Sequence, residues 1–128
     1  MDTLVIVDAA NVVGSVPDGW WRDRHGAAER LRDTLPAYAA DGLPGLAEPP
    51  LELVLVVEGA ARGVTSVAGV RVVPAPGSGD DKIVELVADE GAGRDCLVVT
   101  ADRGLRDRVQ ALGARVTGPR AVRGRGRT

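Results

Sequence analysis

The sequence predicts a three-layer α/β/α sandwich in which a parallel sheet of about five strands lies between two layers of helices. Short apolar runs rich in β-branched residues alternate with segments of helical periodicity, which is the pattern of a parallel sheet with right-handed crossovers. The apolar runs are also nearly continuous, as expected for strands that are buried on both faces. The predicted strands are residues 3–7, 51–57, 70–73, 96–99 and 114–117.

Three segments between these runs have the three-and-four spacing of an amphipathic helix. The first covers residues 27–38, where Ala27, Leu31, Leu35 and Tyr38 share one face. The second is predicted for residues 80–90 and the third for residues 103–112, with Gly113 as its C-terminal stop. Each helix follows a strand, so the order of elements supports a single α/β unit.

The composition indicates one domain and a reducing environment. The chain has 128 residues, contains no Phe and has a single cysteine, Cys96, so its core is aliphatic and its fold does not depend on disulfides. The first apolar run ends at Asp8 and lacks a basic leader, which argues against a signal peptide or a membrane span. We expect a soluble cytoplasmic protein, and a homodimer formed through a helix face is compatible with this composition.

The charge is unevenly distributed along the chain. Residues 118–128 contain four arginines and no acid, and we expect a domain at residues 1–117 followed by a basic flexible C-terminal tail. The tail could contact phosphates by charge alone or could simply aid solubility. The arginines are Arg120, Arg123, Arg125 and Arg127.

Acidic residues follow the predicted strands at the points where they end. Asp8 follows the first strand, Glu58 the second, Asp80 and Asp81 open the helix after the third, and Asp102 follows the fourth. The carboxyl ends of parallel strands meet at one edge of the sheet, where ligands of open α/β folds bind. Clustered carboxylates repel one another, and a hard cation such as Mg²⁺ or Mn²⁺ would compensate for this repulsion.

Several of these acids also have structural explanations. Asp102 is suited to cap a helix, and Ser78 with Asp81 resembles a capping box. Glu58 could be an ordinary solvated side chain in a loop. Asp8 is the hardest to explain structurally, because a carboxylate at the end of a buried strand is costly unless it has a partner.

Three motifs carry a resemblance to a known family. Residues 5–13, Val-Ile-Val-Asp-Ala-Ala-Asn-Val-Val, resemble the opening hhDxxNhh motif of the PIN-like nuclease superfamily, specifically its NYN and YacP-like branch. Residues 79–85, which contain Asp80 and Asp81, resemble the central motif, and residues 98–105, which contain Thr100 and Asp102, resemble the third. Their order and spacing match over residues 3–117.

The resemblance implies a metal-dependent ribonuclease with carboxylate-bound Mg²⁺ or Mn²⁺. Asp8, Asp80 or Asp81, and Asp102 would be the ligands, with Glu58 as a further one, and Asn11 would orient metal or phosphate. Gly104 departs from the family, because many members carry a second acid at that position. Asp107 and Glu85 lie further along their helices, near enough to serve as outer ligands, but a solvated helix face explains each of them better.

RNA is the implied partner, and basic or aromatic residues beside the acidic edge are candidates to bind it. The basic and aromatic candidates are Arg22, Arg24, Trp21 and Arg103, with Arg30 and Arg62 as weaker ones, and the hydroxyl of Thr100 is a further candidate. Trp20 and Trp21 could stack on unpaired bases, or at least one of them could cover the core instead.

Two other functions remain open. The first is a catalytically degenerate module that binds RNA or protein, which Gly104 would permit. The second is a small-molecule phosphohydrolase, ranked last because Ala10 stands where a DxD motif needs its second Asp, and no GxxxxGK[ST] loop is present. A GxGxxG after the first strand is also absent, which argues against a dinucleotide enzyme.

Overall fold

The computed structural model describes residues 2–123 and contains the predicted parallel sheet. Five strands pair in the order β3-β2-β1-β4-β5, and every pairing is parallel. The strands are β1 (Thr3–Asp8), β2 (Leu51–Val57), β3 (Val70–Pro74), β4 (Cys96–Val99) and β5 (Arg115–Thr117). All five lie within a residue of their predicted positions.

The helices cover both faces of this sheet. Two cores result, because alternate residues of each strand point to opposite faces. One core packs against α1 (Ala9–Gly14), α2 (Arg24–Thr34) and α3 (Pro36–Asp41), and the other packs against α4 (Gly79–Glu90) and α5 (Arg103–Gln110). The α/β/α fold class predicted from the sequence is therefore confirmed.

The segment predicted as one helix over residues 27–38 is two helices. The structure ends α2 at Thr34 and begins α3 at Pro36. Proline has no backbone N–H and fits the first turn of a helix, so Pro36 starts a new helix and cannot continue the old one. Leu35 and Tyr38 are buried on both sides of this junction, so the predicted apolar face is retained across the break.

The part of the predicted tail that the structure describes packs on the domain. A 3₁₀ helix covers Pro119–Val122, with Pro119 and Val122 buried. Arg123 donates from Nη1 to the backbone oxygen of Ser15 at 2.9 Å. Val122 is buried in the α1–α3 core, and the domain boundary expected at residue 118 remains a prediction. Residues 124–128, with Arg125 and Arg127, lie outside the described residues.

Within residues 2–123, every helix is too short or too polar to cross a bilayer.

Candidate functional site

Asp8 is the central carboxylate of the acidic edge. It ends β1, the middle strand of the sheet, and only 5% of its surface is exposed. Its Oδ2 accepts a hydrogen bond from the Thr100 hydroxyl at 2.9 Å, and its Oδ1 accepts from the Asn11 amide at 3.4 Å. The second contact makes Asp8 the N-cap of α1. Neither α1 nor this capping role was predicted from the sequence.

Burial raises the pKa of Asp8 from 3.8 to about 6. The hydrogen bonds from Thr100 and Asn11 lower it, whereas the negative charges of Asp80 and Glu58 raise it further. Asp8 therefore titrates close to neutrality and lies within the electrostatic influence of two other acids. A nearby cation would favour its charged form.

Asp80 is the second acid of this group. It lies in the first turn of α4, and its pKa is raised by partial burial, followed by the charges of Asp102 and Glu58. Arg108 lowers the same pKa, but less than these effects raise it. The charges of both Asp102 and Glu58 therefore raise the pKa of Asp80.

Asp81 has a different environment. Its carboxylate forms an ion pair with Arg108 of α5 at 3.1 Å, and three quarters of its side chain is exposed. Its backbone amide donates to Ser78 Oγ, which is the N-cap of α4. Asp80 is therefore the better placed of the two adjacent acids, a choice that the sequence left open.

Asp102 and Glu58 are both held by backbone amides. Asp102 accepts from the Leu105 amide at 2.9 Å and caps α5, as predicted. Glu58 accepts from the Gly79 amide at 2.6 Å, which connects the loop after β2 to the start of α4. One oxygen of each carboxylate therefore accepts a backbone N–H, and only Asp102 does so as the cap of its helix.

Thr100 supports the acids and is not a surface contact. It is completely buried, donates to Asp8 and accepts from the Asp102 amide at 3.2 Å. The hydroxyl of Thr100, which was predicted to bind substrate, is thus engaged by Asp8 and by the Asp102 amide. Asn11 has a similar role, since its Oδ1 accepts from the Ala101 amide at 2.9 Å and fixes the loop after β4.

Arg106 and Arg108 are functional-site neighbours that sequence reasoning missed. Arg106 Nε donates to the Thr100 backbone oxygen at 2.7 Å, and Arg108 contacts Asp81. Arg106 lies one helical turn after Asp102, which places the two residues on the same face. This spacing could have identified Arg106 from the sequence, although it does not reveal which carbonyl oxygen the arginine contacts.

The predicted substrate-binding residues are distributed around this edge. Arg24 lies over the Trp20 ring at 5.2 Å and Arg22 over the Trp21 ring at 5.6 Å. Trp20 contributes to a groove beside Glu58, whereas Trp21 is 54% exposed and does not line that groove. Arg103 is exposed at the first position of α5.

The two weaker arginine candidates occupy different places. Arg62 donates to the backbone oxygens of Gly59 and Pro76 and so joins two loops at the acidic edge. Arg30 lines a different cavity, between α1, α2 and Arg123.

The donor set suits a hard cation, but the side chains do not form a closed ligand shell. The acids offer only carboxylate oxygens, which Mg²⁺ and Mn²⁺ prefer. Among residues 2–123, no group of three or more His, Cys, Asp or Glu side chains is close enough to hold a metal ion. The residues therefore fit the chemistry of such an ion, while their present positions show no metal site.

Known structures share this three-layer α/β/α fold with a parallel sheet. Two crystal structures of Rae1 (YacP) from Bacillus subtilis have this fold. The W164L mutant matches with a TM-score of 0.74 and 17% identity, over 95% of this chain and 72% of that chain. The other structure matches with a TM-score of 0.70 and 20% identity, over 94% of this chain and 71% of that chain.

Sequence comparisons give no further assignment. No protein-family model matches the chain, and no curated protein matches it in sequence. The resemblance to the YacP-like branch is therefore confirmed at the level of the fold, by structures that bear the YacP name.

Proposed function

We propose that this protein is a metal-dependent ribonuclease that hydrolyses phosphodiester bonds in RNA with Mg²⁺ or Mn²⁺. The observation that carries the proposal is Asp8, a buried carboxylate at the end of the central strand that is affected by the charges of two other acids. Such an arrangement is costly for folding, and perturbed acids of this kind occur preferentially at functional sites. The motifs around Asp8, Asp80 and Asp102 and the fold shared with Rae1 (YacP) support the same assignment.

Asp8, Asp80 and Asp102 are the residues that would hold the ion, with Glu58 beside them. Asp81 contributes charge but is paired with Arg108, so we assign it no direct bond to the ion. A bound divalent cation would supply the positive charge that makes a water molecule more acidic and neutralises the leaving oxygen.

The chain's own residues position and orient these groups. Thr100 and Asn11 fix the carboxylate of Asp8, and the amide of Leu105 fixes that of Asp102. Asp8, with its pKa near 6, can hold or release a proton close to neutral pH. Arg24 and Arg103, near the acidic edge, would bind the phosphates on either side of the cleaved bond.

The test is cleavage of labelled single-stranded and structured RNA in Mn²⁺, Mg²⁺ or EDTA. We expect metal-dependent cleavage by the unmodified protein and its loss in Asp8→Asn and Asp102→Asn. Asparagine preserves both shape and capping ability at these positions. Asp89→Asn is the matched control, because Asp89 is exposed in the last turn of α4, away from the edge. No cleavage together with no metal binding by calorimetry would contradict the proposal.

A second candidate is a binding module of the same fold without turnover. Gly104 favours it, because an acid at that position would add a carboxylate next to Asp102: a Cβ there would lie 3.4 Å from Asp102 Oδ1. RNA binding that persists in EDTA, without cleavage in either metal, would identify this second function.

A further inference from the structure

A groove of about 340 Å³ runs beside the acidic edge. It lies between α1, the start of α2 and the loops that follow β2 and β3. Its walls are largely apolar, formed by Ala10, Val13 and Ala28, and Trp20 closes one side. This volume falls at the lower end of the range for small-ligand sites, about 300–1,000 Å³.

The groove is continuous with the candidate catalytic site. Glu58 and Ala9 both line it, and Ala9 directly follows Asp8. Within the described part of the chain, only Oε2 of Glu58 accepts a hydrogen bond, from the Gly79 amide. The other oxygen of Glu58 is therefore available as an acceptor for a group that enters the groove.

The rim combines an aromatic ring with a positive charge. Arg24 lines the groove and lies 5.2 Å from the centre of the Trp20 ring. Trp20 is held edge-on against Trp21 with 6.0 Å between the ring centres, so its orientation is restrained. A flat apolar cleft with an indole, a guanidinium and a carboxylate acceptor matches a nucleobase joined to a phosphate.

We propose that this groove binds one unpaired nucleobase of the RNA strand, next to the phosphodiester bond that is cleaved. The inference rests on the proposed ribonuclease function and specifies its substrate class. The base packs between the alanine wall and Trp20, its amino group donates to Glu58, and Arg24 contacts the adjoining phosphate. A base inside a duplex cannot leave its stack without a large cost, so the groove selects single-stranded RNA.

The experiment measures RNA binding in EDTA by fluorescence anisotropy, so that cleavage does not enter. Ala10→Leu fills the groove from an exposed position on α1, and Trp20→Leu removes the indole. We expect both to weaken binding of a labelled single-stranded oligonucleotide about tenfold, as loss of one stacked base does. Leu112→Ala is the control and changes binding less than about twofold, since Leu112 is exposed after α5 and lies outside the groove.

A set of oligonucleotides with a single abasic site at successive positions provides a stricter test. We expect one abasic position at which the RNA binds the unmodified protein as weakly as intact RNA binds Ala10→Leu. When that abasic RNA is combined with Ala10→Leu, the two losses of binding free energy are not additive, because both changes remove the same contact. Thermal unfolding verifies that each variant is folded, and Ala10→Leu carries the test if Trp20→Leu does not fold.

The outcomes separate this inference from the proposed function. Unchanged binding in Ala10→Leu, or equal affinity of the protein for duplex and single-stranded RNA, overturns the groove assignment even if the protein cleaves RNA. Weakened binding in Ala10→Leu without any metal-dependent cleavage supports the groove and overturns the nuclease.

Discussion

Asp8 is the residue at which stability and function are most directly opposed. Its pKa rises from 3.8 to about 6 on folding, so folding with a charged Asp8 is about 3 kcal/mol less favourable than folding with a protonated Asp8. The folded protein binds this proton more tightly than the unfolded chain does. The unfolding free energy therefore falls as pH rises from about 4 to about 6, and stays low above that range.

We predict that Asp8→Asn stabilises the metal-free protein at pH 8. Asparagine removes the buried charge but also disturbs the hydrogen bond from Thr100, so we expect a net gain of roughly 1–2 kcal/mol. Urea unfolding in EDTA at pH 8 and at pH 4 measures it, and the gain should disappear at pH 4. A loss of stability at pH 8 would show that Asp8 is stabilised by its neighbours and not strained by them.

Thr100 should act as a positioning residue through its hydroxyl. Thr100→Val keeps the shape but removes the donor to Asp8 and the acceptor for the Asp102 amide. We expect it to lower stability by about 1–3 kcal/mol and to raise the pKa of Asp8 further. Mn²⁺ affinity, measured by calorimetry, should fall in Thr100→Val and recover in Thr100→Ser. Equal affinity in all three proteins would exclude the positioning role.

At the residue scale the sequence predicted where the acids lie but not how they are held. Asp8, Asp80 and Asp102 could be located because each follows a strand or opens a helix. The contact between Asp8 and Thr100 joins residues 92 positions apart, and no local pattern encodes it. Likewise, the choice between Asp80 and Asp81 depends on Arg108, which belongs to another helix.

At the scale of single elements, the first turn of α5 combines a cap with an unusual glycine. Gly104 follows the N-cap Asp102 by two residues. A side chain here would meet only Asp102 Oδ1, at an ordinary contact distance of 3.4 Å. The backbone therefore accepts a larger residue at this position.

We predict that Gly104→Asp tightens Mn²⁺ binding several-fold relative to Gly104→Ala. Both variants remove a helical glycine, so Gly104→Ala alone should raise stability by about 0.5–1 kcal/mol. In EDTA, the unfolding free energy should rise less in Gly104→Asp than in Gly104→Ala, because the new carboxylate repels Asp102. Calorimetry measures the affinity and urea unfolding the stability. Equal Mn²⁺ affinities in the two variants would show that the ion does not bind beside α5.

Some elements were easier to predict than others for physical reasons. The strands are runs of β-branched residues bounded by strong structure breakers, so their limits agree with the sequence analysis. Helix α1 has six residues and includes Val12 and Val13, which have low helix propensity, and it depends on its cap at Asp8. The break before Pro36 was missed because the apolar spacing continues through it.

At the scale of the whole molecule, the two edges of the sheet differ in how their charges are compensated. At the amino ends of the strands, Arg94 contacts Glu52 at 2.9 Å, and Arg71 pairs with both Glu52 and Glu90. At the carboxyl ends, the charge of Asp80 raises the pKa of Asp8 and the charge of Asp102 raises that of Asp80, while Arg108 pairs with Asp81 and offsets the effect on Asp80 only in part.

We predict that neutralising Glu52 affects stability and leaves RNA cleavage unchanged. Glu52→Gln removes the acceptor shared by Arg94 and Arg71, and Arg94 is largely buried, so we expect a loss of about 1 kcal/mol. Urea unfolding at low and high salt measures this loss of unfolding free energy, which should be smaller at high salt because salt screens the ion pairs. A change in cleavage rate comparable to that of Asp102→Asn would contradict this separation of the two edges.

The parallel sheet and its helical layers could be predicted from the alternation of patterns. The order β3-β2-β1-β4-β5 is set by pairings between distant segments, which local periodicity does not specify. The groove beside Glu58 could not be predicted from local periodicity either, because α1, α2 and two loops that are distant in sequence form it together.

The central position of β1 has a consequence for how the protein is made. Leu4 to Val7 pair on one side with β2 and on the other with Cys96 to Val99, which are translated about 90 residues later. At roughly 5–20 residues per second, β1 leaves the ribosome about 5–20 s before β4 is complete. Thr100 and Asp102 emerge later still. A nascent chain therefore carries Asp8 without its partners until residues 96–102 have emerged.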